Sequence, residues 1–205
     1  ILFLTLINAK GLRESGKVQV VTTVLKLIPL ILVIIGGIFF FNIDNFIPFN
    51  PSGESDMVAI AITATLTLFA YLGVESATVP AGNVENPEKT IPKATMLGTI
   101  FTTLVYVLST VVIMGMIPAD ILSKSPAPFA DAMHIIAGEW GQNIAAFGAA
   151  IAAFGALNGW ILIQGQIAMA TAKDDLFPRV VRRENKNGVP VLGIIIGSIL
   201  TSLVM

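Results

Sequence analysis

The sequence predicts an all-α membrane protein, and three observations carry that prediction. Its mean hydropathy is +0.84. Charged residues are only 12% of the chain and hydrophobic residues 55%, whereas a soluble domain carries about 25% charged residues. Five stretches free or nearly free of charge recur along it, each near or above the ~18 residues expected of a spanning helix. Strands fit poorly, because a spanning strand is ~10 residues of strict alternation and these stretches are longer and apolar all round.

Taken in order, residues 1–9 (ILFLTLINA) are apolar but too few to span, and read as the tail of a preceding helix. The sequence opens without Met and stops inside an apolar run, TSLVM, so it reads as a fragment of a larger protein, a single partial transmembrane domain over 1–205. The first complete helix is expected over 18–41. Residues 42–56, NIDNFIPFNPSGESD, carry Pro48, Pro51, Gly53 and the acids Asp44, Glu54 and Asp56, the composition of an exposed connection. A second helix is expected over 57–83 and a third over 94–117. The run SPAPFADAMHIIAGEW has a Ser and Pro start, apolar Phe129, Met133 and Ile136, and Gly138 near its end. It reads as a short amphipathic helix over 126–138 at the membrane surface, either a lid on packed helices or part of a gate. A fourth helix follows over 140–172 and a fifth over 189–205.

Orientation follows from the basic residues. Lys10, Arg13 and Lys17, then Lys89 and Lys93, then Lys173, Arg179, Arg182, Arg183 and Lys186 fall in one set of alternate loops, against Lys124 alone in the other. The positive-inside rule makes the rich set cytoplasmic, so helix 18–41 runs outward and the rest alternate. The net charge of -1 gives no basic field for nucleic acid. There is no cysteine and a single His, His134, so neither thiolate metal sites nor a Ser/His/Asp or HExxH arrangement is available. An enzyme is therefore disfavoured, and a channel would need a polar pore for which few residues stand. No cofactor and no metal is implied.

The residues 68–93, LFAYLGVESATVPAGNVENPEKTIPK, concentrate the functional signal. An uncharged run reaches Gly73 and then places Glu75 far from other charge. An acid in hydrocarbon costs about 2.5–3.5 kcal/mol on insertion scales, so it faces a cavity or a pathway. Gly73 weakens the helix, Thr65, Thr67, Val74, Thr78 and Val79 are β-branched, and Pro80 lacks the N–H that would bond the Ser76 carbonyl. A break is expected near Gly73 to Ser76. Interrupted helices at mid-membrane free backbone groups to bind substrate ammonium and carboxylate groups. The competing reading is a Pro kink with Glu75 hydrogen-bonded to a neighbouring helix.

Two further residues stand out. A continuous helix over 140–172 would be ~50 Å long, with Trp160 ~30 Å from Trp140 and ~20 Å from Lys173, which leaves Trp160 either a central gate residue or one of an interfacial belt. Lys26 sits ~14 Å along its helix from Lys17, deep in the apolar run, where it acts on coupling or snorkels to the interface. Gly148, Ala152 and Ala156, and Gly155 with Gly159, form small-residue rows that read as close helix packing.

The run Phe69, Ala70, Tyr71, Leu72, Gly73, Val74, Glu75, Ser76 and the following Asn83, Val84, Glu85, Asn86, Pro87, Glu88, Lys89, Thr90, Ile91, Pro92, Lys93, Ala94 closely resembles the sixth helix and next loop of the amino acid/polyamine/organocation transporter superfamily. SPAPFADA, GALNGW and AKDDLFPRVV extend the likeness over essentially the whole chain, and the nearest likeness is to arginine/agmatine and related basic amino acid antiporters. The resemblance implies two inverted five-helix repeats with a discontinuous helix, this chain covering the end of helix four through helix nine, and a secondary active transporter exchanging an amino acid and an amine by alternating access. The alternatives are a proton-coupled amino acid symporter and a non-transporting amino acid sensor on the same fold. It implies that Phe69 covers the substrate, that the Leu72 carbonyl takes its α-ammonium group, that Ala70 and Gly73 line the site, that Glu75 senses protons, and that Trp160 lies below the substrate. Ala70 departs from the Ser of those antiporters, which weakens arginine as the substrate. Lys26 also departs from them and matches proton-coupled, sodium-independent members, where its ammonium replaces a sodium ion. The implied partners are an amino acid or polyamine substrate, the lipid bilayer, the missing helices 1, 3 and 10 of the parent chain and, as a further option, a second copy in a homodimer.

Overall fold

The chain folds into helices joined by short 3₁₀ turns in a computed structural model that describes residues 1–79 and 81–204, with Asn83 by its backbone alone. The α-helices are α1 (Leu2–Lys10), α2 (Leu12–Gly37), α3 (Asp56–Leu68), α4 (Pro87–Met116), α5 (Ala119–Leu122), α6 (Pro128–Lys173) and α7 (Val191–Val204). By length and composition, four helical stretches suffice to cross a membrane: Leu12–Phe40, Asp56–Thr78, Pro87–Met116 and Pro128–Lys173. Val191–Val204, at 14 residues, is ~21 Å long against a hydrocarbon core of ~30 Å.

Element boundaries differ from those read off hydropathy because polar residues also complete helical turns. α2 begins at Leu12 rather than 18, with Glu14 and Lys17 ion-paired at 2.7 Å in its first turns. α4 begins at Pro87 rather than 94, using a proline at its first position, where a missing N–H removes no intrahelical bond. The surface helix expected over 126–138 and the long helix after it meet at a corner inside α6, where Ala137 (φ −139°) and Gly138 (φ 62°, ψ −147°) leave helical geometry. Glycine alone tolerates that second conformation readily. The corner is tight: a side chain at Gly141 would run into the Met133 carbonyl.

The described residues form two compact units. One comprises Ile1–Leu27, Thr78–Glu85 and Gly148–Met205. Its apolar core is Leu4, Ile161, Val189 and Ile194, and beside that core lies a buried amide cluster. Asn8 Nδ2 donates to the Leu4 carbonyl at 2.9 Å and to Asn158 Oδ1 at 3.0 Å, Ser15 Oγ donates to Asn8 Oδ1 at 2.7 Å, and Asn158 Nδ2 donates to the Ser15 carbonyl and to Gln19 Oε1, both at 3.1 Å. The cluster ties α1, α2 and α6 together, and both asparagines are fully buried. Buried amides of this kind must be satisfied, because an orphaned one costs about 1–3 kcal/mol. Thr5 Oγ1 donates to Ser198 Oγ at 2.8 Å and joins α1 to α7. Asn185 Nδ2 reaches the Ala9 carbonyl at 2.8 Å and Asn187 Nδ2 the Lys10 carbonyl, capping the end of α1. The Gly155 and Gly159 row faces α2, where a Cβ at Gly155 would lie 2.6 Å from Thr22 Oγ1.

The other unit comprises Ile28–Ala77 and Asn86–Phe147. Val33, Val112, Ile113, Met116, Ile117, Ala132, Met133 and Ala145 form its core, from α2, α4 and α6. The connection after α2 folds onto the end of α4, with the Asn42 N–H at 2.8 Å and Asn45 Nδ2 at 2.7 Å from the Gly115 carbonyl. These bonds satisfy a carbonyl that the helix end leaves without an intrahelical donor.

Candidate functional site

The helix expected over 57–83 is not one helix. α3 stops at Leu68 and is followed by 3₁₀ turns at Phe69–Tyr71, Val74–Thr78 and Ala81–Asn83. Between the first two, Leu72 is extended (φ −65°, ψ 139°) and Gly73 has φ 98°. The chain prepares this locally. The hydroxyls of Thr63, Thr65 and Thr67 each bond the carbonyl four residues back at 2.9 Å, a competition that weakens and bends helices. Gly73 then takes a backbone angle that side-chain-bearing residues rarely adopt. Pro80, the other expected cause of the break, lies outside the described residues.

The break leaves polar backbone to be satisfied. The Gly73 N–H donates to Glu75 Oε2 at 3.0 Å, and the Ser76 N–H donates to the Gly73 carbonyl at 3.0 Å. Among the described residues no donor reaches the Leu72 carbonyl. Phe69 is 76% exposed and Leu72 62%, and Glu75 is exposed as well. One stretch of backbone thus presents an aromatic ring, an open carbonyl and a carboxylate within seven consecutive residues.

A cavity of about 280 Å³ opens beside this segment, against α4. Ala70, Tyr71, Gly73, Val74 and Ala77 line one wall, and Ala94, Thr95, Gly98, Thr99 and Thr102 the other. Tyr71 meets Tyr106 of α4 edge-on, ring centroids 6.2 Å apart. Of the residues expected at the site, Ala70 and Gly73 line the cavity, while Phe69, Leu72 and Glu75 belong to the same segment without lining it. Trp160 and Lys26 lie in the first unit. Trp160 is 55% exposed on α6, and Lys26 is half-buried on α2 without an ion pair among the described residues.

Two groups escaped the sequence reading. Asn8 and Asn158 are one: Asn8 is the single amide in an otherwise apolar run, a visible signal, and Asn158 lies within GALNGW. The other is the line Thr95, Thr99, Thr102, spaced to share one face of a helix, which hydropathy passes over because Thr barely interrupts an apolar run.

The chain matches the amino acid permease family over residues 1–205. It is 33% identical to the cadaverine/lysine antiporter of Escherichia coli (strain K12) over 202 residues, which cover 98% of this chain and 46% of that protein. It is 33% identical to the arginine/ornithine antiporter of Pseudomonas aeruginosa over 187 residues (88% and 39%) and 32% identical to the putrescine transporter of Haemophilus influenzae over 201 residues (97% and 46%). The chain therefore spans less than half the length of each of these relatives. A match over its whole length, joined to apolar helices long enough to span, establishes the chain as part of a multi-pass integral membrane protein of the cell membrane that belongs to the amino acid permease family.

Proposed function

We propose that this chain supplies the discontinuous substrate-binding helix of an antiporter that exchanges a basic amino acid for a diamine or a related amino acid by alternating access. The single observation that carries the reading is the break in the Asp56–Thr78 span, with Gly73 at a positive φ that side chains rarely adopt, an open Leu72 carbonyl and Glu75 seated on the Gly73 amide. An open carbonyl is suited to an ammonium group, and a carboxylate within a span is suited to a pathway. The substrate class rests on the names of the relatives, cadaverine/lysine, arginine/ornithine and putrescine transporters.

On this reading Phe69 covers the bound substrate, Leu72 binds through its carbonyl, Ala70 and Gly73 shape the site, and Glu75 couples protonation to release. Trp160 serves as a gate residue, and Lys26 takes the place of a coupling cation. The basic loops face the cytoplasm. The protein performs no covalent chemistry and acts with further helices of its own chain.

The test is counterflow in proteoliposomes of the full-length protein. Labelled lysine and arginine are offered outside, with lysine, cadaverine, putrescine or nothing inside. Uptake that requires internal substrate supports exchange. Uptake into empty vesicles driven by a proton gradient replaces exchange with symport, and absence of flux for all substrates overturns transport in favour of a sensor.

A further inference from the structure

One face of α1 is buried and the other is open. Leu4, Thr5 and Asn8 are buried in the first unit, whereas Phe3, Leu6, Ile7, Ala9 and Lys10 line a groove of about 370 Å³. Positions 3, 6, 7 and 10 are three or four apart, so they form a single stripe along the helix. Phe3 and Leu6 are exposed, and the Phe3 ring lies 6.3 Å from that of Phe154 on α6. The stripe runs ~10 Å along the axis, apolar throughout until it ends on one cation, Lys10.

Other cations gather at that end. The loop before α7 is fastened to the end of α1: Asn185 Nδ2 donates to the Ala9 carbonyl at 2.8 Å, Asn187 Nδ2 donates to the Lys10 carbonyl, and a side chain at Gly11 would lie 3.5 Å from Asn187 Cβ. These contacts set the backbone of Lys186 beside Lys10, and Arg13 lies three residues further on. Lys10, Arg13 and Lys186 are all exposed, and among the described residues none of them enters an ion pair. The neighbouring acids are committed elsewhere, Glu14 to Lys17 and Glu184 to Lys173, each at 2.7 Å. A basic side chain near a helix C-terminus often serves the last carbonyls. Here Asn185 and Asn187 have taken the carbonyls of Ala9 and Lys10, and the cations are left for another anion.

We infer that this groove and its cations hold an anionic glycerophospholipid, with an acyl chain along Phe3, Leu6 and Ile7 and the phosphate at Lys10 and Lys186, within reach of Arg13. Charge complementarity selects this occupant. A soluble anion uses the cations and leaves the groove empty, and a zwitterionic lipid fills the groove and gains little from the cations. A further helix of the parent chain, packed over the stripe, strands Lys10 unless it brings an acid with it. An anionic lipid satisfies both parts at once, and basic pockets between helices at a membrane surface attract such headgroups. The inference needs only a chain embedded in a bilayer and does not rest on the exchange reading.

The test uses the full-length protein without any transport assay. Bound lipid is counted by native mass spectrometry during titration with phosphatidylglycerol, or with phosphatidylcholine of the same chains. Lys10→Gln and Lys186→Gln are each expected to weaken phosphatidylglycerol about fivefold and to leave phosphatidylcholine unchanged, while Lys124→Gln, from the sparse set of loops, changes neither. An equal loss in Lys124→Gln, or no loss in the other two, overturns the site. Soluble glycerophosphoglycerol that displaces the lipid at equal concentration removes the groove from the proposal and overturns it as well. Leu6→Trp supplies a second readout, since Leu6 is exposed and a larger ring there strikes nothing buried. In nanodiscs, the added Trp emission should be quenched more strongly by brominated phosphatidylglycerol than by brominated phosphatidylcholine. Equal quenching by the two means unselective lipid contact, and quenching by neither means that protein covers the stripe; both results overturn the proposal.

Discussion

The Gly73 amide donates to the Glu75 carboxylate at 3.0 Å, so the acid that marks the site also repairs the backbone that the break exposes. Neither residue has this role alone: the extended Leu72 (ψ 139°) turns the Gly73 N–H out of the helical ladder, the positive φ of Gly73 (98°) redirects the chain after it, and a side chain two residues on reaches back to accept the N–H. The same carboxylate is then held at the break.

Glu75→Gln separates these two roles. The amide oxygen of Gln can still accept the Gly73 N–H, so folding and substrate binding should persist, while the pH dependence of exchange should flatten. The measurement is the pH profile of counterflow in the full-length protein, beside substrate-induced thermal stabilisation at each pH. An unaltered profile removes Glu75 from proton coupling.

Gly73→Ala tests the break itself. A side chain at a positive φ of this kind costs about 1–3 kcal/mol, so the variant should melt lower in detergent, and its uptake should fall more than its stability does. Melting and uptake both at wild-type level would mean that the segment does not need this backbone geometry.

The Asn8 and Asn158 side chains form a pair to be read by a double-mutant cycle. Replacing either by Leu strands its partner in a buried site and should destabilise the protein by about 1–3 kcal/mol. Replacing both should cost less than the sum, because neither asparagine is left facing a missing partner. Thermal unfolding of the four proteins gives the coupling, and strict additivity would show that the two amides do not act together.

Lys26→Ala addresses coupling. If the ammonium stands in for a cation, its removal should slow exchange in sodium-free buffer, and added sodium should restore part of the rate. Rates indifferent to both the substitution and sodium would assign Lys26 to interface anchoring instead.

Much of the broken segment is legible in the sequence. The run from Phe69 to Ser76 pointed to a break, to Glu75 and to a family, because a lone acid and a glycine in an apolar stretch are local facts. What was not legible was where α3 gives way. The expected break at Gly73 to Ser76 is preceded by 3₁₀ geometry from Phe69 onward, a start that no single residue in the run marks. Trp160 shows the same limit. Spacing left it between gate and belt, and the structure adds that it is exposed while Asn158, two residues earlier and on nearly the opposite face, is sealed inside.

By itself, then, the sequence determined the membrane setting, the all-helical class and the presence of a break in the span that begins at Asp56. Hydropathy, charge and glycine content act over a few residues and add nearly independently. The tertiary structure alone decided the amide cluster of Asn8 and Asn158, which are 150 residues apart, the corner at Gly138, and the threonine wall facing the broken segment. Those depend on which surfaces meet. A polar side chain in an apolar run has no assigned partner until packing brings another donor or acceptor within hydrogen-bonding distance.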